Sequence, residues 1–169
     1  MAETFTNERR VEQGEKEQLM QLVGFSIGKE QFGVDILMVQ EIIREAPITS
    51  VPNSPDFVEG VINLRGNIIP VIELRKRLNL FQENPNEDTW ILILDIDGKV
   101  TGFIVDSVSK VLKILESSIE PPPELVVAGL ESQYIRGVCD TGEGILIILD
   151  FNHILLVDEM QKLKSIGNN

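Results

Sequence analysis

Two stretches decide the fold: Phe57-Val-Glu-Gly-Val-Ile-Asn-Leu-Arg-Gly-Asn-Ile-Ile-Pro-Val-Ile-Glu73 and Tyr134-Ile-Arg-Gly-Val-Cys-Asp-Thr-Gly-Glu-Gly-Ile-Leu-Ile-Ile-Leu-Asp150. A shift of 77 residues lays 57–80 on 134–157 without a gap. Phe57 then meets Tyr134, Gly60 meets Gly137, Val61 meets Val138, Asn63 meets Asp140, Ile68 meets Ile145 and Glu73 meets Asp150. Upstream a shift of 69 places Ile27 on Ile96, Gly33 on Gly102, Val39 on Val108 and Ile42 on Val111. The eight extra residues of the second copy are assigned to the stretch containing Pro121-Pro122-Pro123. Self-similarity at a fixed offset is the sequence mark of a duplicated unit. Each copy has room for about five short strands, too few to bury a core alone. The copies, 22–80 and 91–157, are expected to share an apolar seam and curl into barrels, which removes exposed edges.

The runs between these stretches agree with an all-β reading. Leu22-Val-Gly-Phe-Ser-Ile27 and Gln31-Phe-Gly-Val-Asp-Ile36 flank Gly28-Lys-Glu30 as a hairpin. Trp90-Ile-Leu-Ile-Leu-Asp-Ile96 and Val100-Thr-Gly-Phe-Ile-Val105 flank Asp97-Gly98-Lys99, a strong turn signal. Gly60, Gly66, Gly98 and Gly137 read as turn or bulge positions. The best helical signal is 152–163, with Asn152 as cap and Ile154, Val157 and Leu163 facing inward. Residues 1–18 are almost wholly polar and read as a flexible tail. Residues 19–160 form the folded domain of two interleaved barrels, and 161–169 a second tail.

Composition restricts function. The 169-residue chain carries a net charge of −12, which leaves no positive footprint for nucleic acid or an anionic membrane surface. Hydrophobic residues make up 43%, enough for a folded core. The N-terminus lacks a signal-peptide pattern, and no apolar run approaches a membrane span. One Cys and one His exclude a disulfide framework and a His/Cys zinc cluster, and suit a reducing cytoplasm. No phosphate-binding or nucleophile-elbow motif is present. No cofactor or metal is expected, and an enzyme working through surface carboxylates is the contrasting function class.

The segment Gln31-Phe-Gly-Val-Asp-Ile-Leu-Met-Val-Gln-Glu-Ile42, then Val51-Pro52, Phe57-Val-Glu-Gly-Val-Ile-Asn-Leu-Arg-Gly66 and Ile69-Pro-Val-Ile-Glu-Leu74, resembles the CheW family of chemotaxis coupling proteins. The likeness runs from about Leu22 to Met160. It implies two SH3-like five-stranded barrels on a common core, with short helices. It also implies a non-enzymatic adaptor joining the cytoplasmic tips of methyl-accepting chemoreceptors to the regulatory domain of the CheA histidine kinase, in signalling arrays at the membrane. That kinase ends in a domain of the same fold. No phosphoacceptor or ATP-binding module is seen before residue 22 and no receiver after residue 160, so a stand-alone coupler is the expectation. A CheW-like scaffold in another two-component pathway is the runner-up.

The resemblance implies two sets of contact residues, each with a plainer reading beside it. Arg65, Val39, Glu41 and Ile42 are placed at the receptor groove. An arbitrary turn Arg is a solvated decoration, but its counterpart in the second copy is Gly142, so the turn itself needs no cation. Beside an apolar groove its planar fork can bond acids or carbonyls. Val39 is either core, as its counterpart Val108 indicates, or groove. Val51, Pro52 and Glu59 are placed near the kinase regulatory domain; Leu125, an apolar residue on the stiff spacer after the triple proline, reads independently of the resemblance as a second contact patch, and loops tucked on their own barrel are the alternative. Cys139 reads as a buried small hydrophobe and His153 as solvated, while Trp90 fits either core or seam.

Overall fold

Large apolar residues occur on both faces of most strands, so each strand must be covered twice. The computed structural model describes residues 18–80, 88–122 and 132–155. Its strands are β1 (Leu19–Ile27), β2 (Glu30–Asp35), β3 (Val39–Ile43), β4 (Val58–Leu64), β5 (Asn67–Glu73), β6 (Trp90–Ile96), β7 (Lys99–Val105), β8 (Ser107–Leu115), β9 (Ile135–Asp140) and β10 (Ile145–Leu149). Two four-residue helices, α1 (Leu74–Arg77) and α2 (Phe151–Ile154), follow β5 and β10. The strands form two five-stranded sheets, ordered β8-β1-β2-β10-β9 and β3-β6-β7-β5-β4. Each is an SH3-like barrel, and the fold is all-β with short helices.

The duplication takes a definite form here, because each barrel draws two strands from one copy and three from the other. β1 and β2 of the first copy join β8, β9 and β10 of the second, while β6 and β7 join β3, β4 and β5. Registers match across the exchange. Phe25 pairs with Val108 and its counterpart Leu94 pairs with Val39. The two parallel pairings, Ile148 with Gly33 and Val71 with Gly102, are counterparts as well. Strand exchange makes neither half a folding unit alone; every hydrogen-bonded sheet needs both.

The two-faced strands explain three apolar clusters. Leu22, Cys139, Leu146 and Ile148 lie in the interior of the first barrel. Their counterparts Ile91, Ile62, Ile69 and Val71 lie in the interior of the second. Between the barrels lies a larger cluster with Phe25, Phe32, Phe103 and Phe151 fully buried. Along β1, Leu22 faces one cluster and Val23 the other, as alternation requires. Burial of side chains of this size, at about 1.5–3 kcal/mol each, makes the shared seam the main stabilising feature.

Two expectations are corrected. The cap of the last helix is Asp150 rather than Asn152: its carboxylate accepts from Asn152 N–H at 3.1 Å and His153 N–H at 3.3 Å. A carboxylate one residue before the helix reaches the free N–H groups that Asn152, already inside the first turn, cannot. The extra residues of the second copy are also not all in the proline stretch. The bridges Thr49–Val61 and Glu120–Val138 are equivalent and set an offset of 71 before that stretch. Two of the eight therefore precede it, where β8 has nine residues against five in β3. The tail 1–17, Pro123, Leu125, Val157, Leu163 and the tail 161–169 lie outside the described residues.

Candidate partner-binding face

The β4–β5 hairpin turns on Arg65-Gly66, both at positive φ (52° and 87°). A two-residue turn of this hand matches the right-handed twist of the flanking strands. Asn63 fixes it by accepting the Gly66 N–H at 2.8 Å. Gly suits such a position without cost and Asn nearly so, whereas an Arg there gives up on the order of 1 kcal/mol of backbone energy. The side chain therefore has a use that the turn does not supply.

That side chain makes a fork. Arg65 Nη1 and Nη2 donate to the two carboxylate oxygens of Glu41 on β3, at 2.6 and 2.8 Å. β3 and β4 are the two edges of their sheet, so the pair spans the gap across which the barrel closes. Glu41 is the more sheltered partner, at 26% exposure against 71% for Arg65. The hydrogen bonds and charge of Arg65 hold the Glu41 carboxyl below its ordinary range, and Glu41 raises Arg65 in return. The guanidinium is thus fixed in direction by Glu41 while its side chain stays largely exposed to solvent.

The structure distributes the other residues singled out from the sequence as follows. A register shift between Val39 and Glu41 separates their environments. Val39 is half-buried against the central core, Glu41 meets Arg65, and Ile42 projects outward with over a third of its surface exposed. Val51 and Pro52 lie in the loop before β4, where Ser54 Oγ–H caps the Val51 carbonyl at 2.8 Å. Glu59 on β4 faces Lys76 of α1 at 3.6 Å. It also helps push up the carboxyl of Glu73, which burial already raises against the pull of Arg75 and Lys76. Cys139 is buried and Trp90 packs against the central core under the Arg44 guanidinium, 4.8 Å from its ring centroid. His153 Nδ1 lies 2.6 Å from Asp150 Oδ2. Among the described residues no group of three or more His, Cys, Asp or Glu side chains is placed to hold a metal ion, and no helix is long and apolar enough to cross a membrane.

The ion pairs were not legible in the sequence, and two besides the fork bear on the fold. Lys110 faces Glu143 at 3.8 Å. Lys110 is the counterpart of Glu41, and Glu143 lies one residue past the counterpart of Arg65, so the second copy repeats the pair with the signs exchanged. Arg75 donates to Asp106 Oδ2 at 2.7 Å, with both side chains sheltered. The run Arg75-Lys76-Arg77 was the visible signal: three cations at the end of an apolar strand, of which a solvated surface helix would bury none.

Comparison with known proteins places this geometry. The CheW-like domain model matches residues 21–159. The chain is 37% identical over 145 residues to the chemotaxis protein CheW of Klebsiella aerogenes, covering 86% of this chain and 87% of that one. It is 34% identical over 162 residues to the CheW of Treponema pallidum, covering 94% and 95%. The crystal structure of the scaffolding protein TtCheW from Thermoanaerobacter tengcongensis superposes with a TM-score of 0.76 at 38% identity, over 84% of this chain and 96% of that one. With its two strand-exchanged barrels and the Asn63-Leu-Arg-Gly66 turn, the chain belongs to the CheW family.

Proposed function

We propose that the chain is a non-enzymatic chemotaxis scaffold of the cytoplasm, joining the tips of chemoreceptors to the CheA histidine kinase in membrane-associated arrays. The observation that carries this reading is the Arg65–Glu41 fork, held at a turn conformation that an Arg adopts only at a cost. Receptor contacts are assigned to Arg65, Glu41, Ile42 and Val39, with the fork giving directional hydrogen bonds and the Ile and Val apolar area. Contacts with the kinase regulatory domain are assigned to Val51, Pro52 and Glu59, and to Leu125. The mechanism is geometric. Several weak faces on one rigid body raise the effective concentration of each partner for the other, and receptor state biases which kinase arrangement is favoured.

The test is titration of the full chain with a receptor-tip fragment and with the CheA regulatory domain, separately and together. Binding of both at once supports the proposal. Mutually exclusive binding would refute a bridge between them, and failure to bind either would point to another two-component pathway.

A further inference from the structure

We propose that α1 is a strap that fixes the angle between the two barrels, with Arg77 as its pivot. The guanidinium of Arg77 lies between two rings, 5.0 Å from the Phe57 centroid and 4.8 Å from that of Tyr134. Phe57 and Tyr134 are counterparts under the 77-residue shift, so Arg77 sits between equivalent positions of the two copies. Its Nη1–H donates to the Tyr134 hydroxyl at 2.8 Å and its Nε–H to the Ile154 carbonyl at 2.9 Å. Ile154 is the counterpart of Arg77 itself, and it supplies only a backbone acceptor. The tie is one-sided: the first copy provides the cation and the second receives it.

A second grip starts two residues earlier. Arg75, only 6% exposed, donates to Asp106, and the same carboxylate oxygen accepts the Gly28 N–H at 2.6 Å. Gly28 turns the β1–β2 hairpin of the opposite barrel. One four-residue helix thus reaches the other barrel at two separate places. The apolar seam between the barrels is strong but non-directional, so it opposes separation better than it opposes small rotations. Fork-shaped, charge-assisted hydrogen bonds are directional and fix an orientation. The strap supplies what the seam lacks.

The test uses the full chain with Cys139→Ala and spin labels at Lys99→Cys and Lys113→Cys, exposed positions on β7 and β8, one in each barrel. Pulsed dipolar spectroscopy of this background is expected to give one narrow distance distribution. Adding Arg77→Met, which keeps an unbranched apolar stem but loses both hydrogen bonds, is expected to widen it about twofold while the protein stays folded. Arg44→Met, which removes a cation stacked on Trp90 within one barrel, is expected to leave the width unchanged. A distribution for folded Arg77→Met superimposable on the parent overturns the proposal, as does equal widening in Arg44→Met. Should Arg77→Met not fold, Tyr134→Phe removes the hydroxyl acceptor alone, and an unchanged width there overturns it equally. A purely stabilising Arg77 would lower the melting temperature without altering the width.

Discussion

Glu41 and Lys110 occupy the same place in the two copies and carry opposite charges, and each is paired with a residue of the β-turn beside it. The pairs are unequal. Arg65 and Glu41 form a short two-bond fork, whereas Lys110 and Glu143 are a single 3.8 Å contact between highly exposed side chains. Exposed pairs of the second kind contribute little to stability. The duplication was kept in the fold and broken in the charges, which is where a difference between two faces of a scaffold has to lie.

The asymmetry predicts separable effects. Arg65→Glu removes the fork and places an acid beside Glu41, and binding to a receptor-tip fragment is expected to weaken by about 2–5 kcal/mol, roughly 30-fold or more. Affinity for the CheA regulatory domain should stay within about threefold. Lys110→Glu, which reverses the cation of the second copy's pair, should leave both affinities and the melting temperature nearly unchanged, as most surface substitutions do. Isothermal titration of the two variants against each partner reads this directly. Equal loss toward both partners in Arg65→Glu would remove the residue from a receptor-specific site.

Stability and binding should part company at the same position. Arg65→Gly relieves a positive φ of 52° and deletes an exposed side chain. Unfolding free energy is expected to rise or to stay within about 1 kcal/mol of the parent, since glycine's larger unfolded-state entropy offsets part of the relief. Receptor-tip binding is expected to fall as in the charge reversal. A loss of stability well beyond that range would mean that the fork closes the barrel structurally.

How far this was legible in the sequence depends on the kind of signal. The 77-residue offset equated Phe57 with Tyr134, the 69-residue offset equated Ile27 with Ile96, and the alternating apolar pattern located the hairpins, because burial on two faces leaves a periodic trace. Interleaved barrels were expected, but which strands cross was not legible: β1 pairs as well with its own neighbour as with β8, and only the assembled sheets show which strands share a barrel. At the candidate face, Arg65 and Glu41 were each legible from the family motif, but their mutual contact across 24 residues was not. Arg77 was missed altogether, since a cation stacked between two rings looks like any surface cation when its neighbours are unknown.

Acid titration should distinguish two glutamates of opposite shift. The folded-state pKa of Glu41 is lowered from its ordinary 4.5, so its contribution is present above that value and is lost as pH falls through the lowered one. That of Glu73 is raised, so its ionisation destabilises the folded chain as pH rises through the raised value. Glu73→Gln is therefore expected to gain stability relative to the parent on going from about pH 3.5 to about pH 7, and Glu41→Gln to lose it. Urea midpoints at the two pH values check both signs. A Glu73→Gln variant that loses ground toward neutral pH would contradict the assigned burial.

Gly60 and Gly137 predict where the duplication tolerates no change. A Cβ on Gly60 would land on the Thr49 carbonyl, and one on Gly137 would meet Ile119 and the Glu120 carbonyl, the same bridge in each copy. Gly60 also has a φ of 154°, outside the range of ordinary residues. Gly60→Ala is expected to cost about 3 kcal/mol or more, by the combined backbone strain and loss of packing. Gly98→Ala, where a Cβ meets nothing within 4 Å, should cost only about 1 kcal/mol for its positive φ. Thermal melts of the pair test the contrast, and similar losses in both would discount the close approach.

Asp106 provides the sharpest stability test, because it is the acceptor that two donors from different parts of the fold share. Removing it in Asp106→Ala takes the shared carboxylate from the Arg75 guanidinium, which is nearly inaccessible to water, and from the Gly28 N–H. Breaking a sheltered ion pair from one side typically costs about 3–5 kcal/mol. For a domain of this size that corresponds to a melting temperature lower by roughly 10 °C. The double variant Arg75→Met with Asp106→Ala has no buried cation left to satisfy, and Met fills most of the same space. It should be less destabilised than the sum of the single variants, by a coupling energy of about 1–3 kcal/mol. Additive losses would show that Arg75 finds its stabilisation elsewhere, and the second grip of the strap would then rest on the Gly28 contact alone.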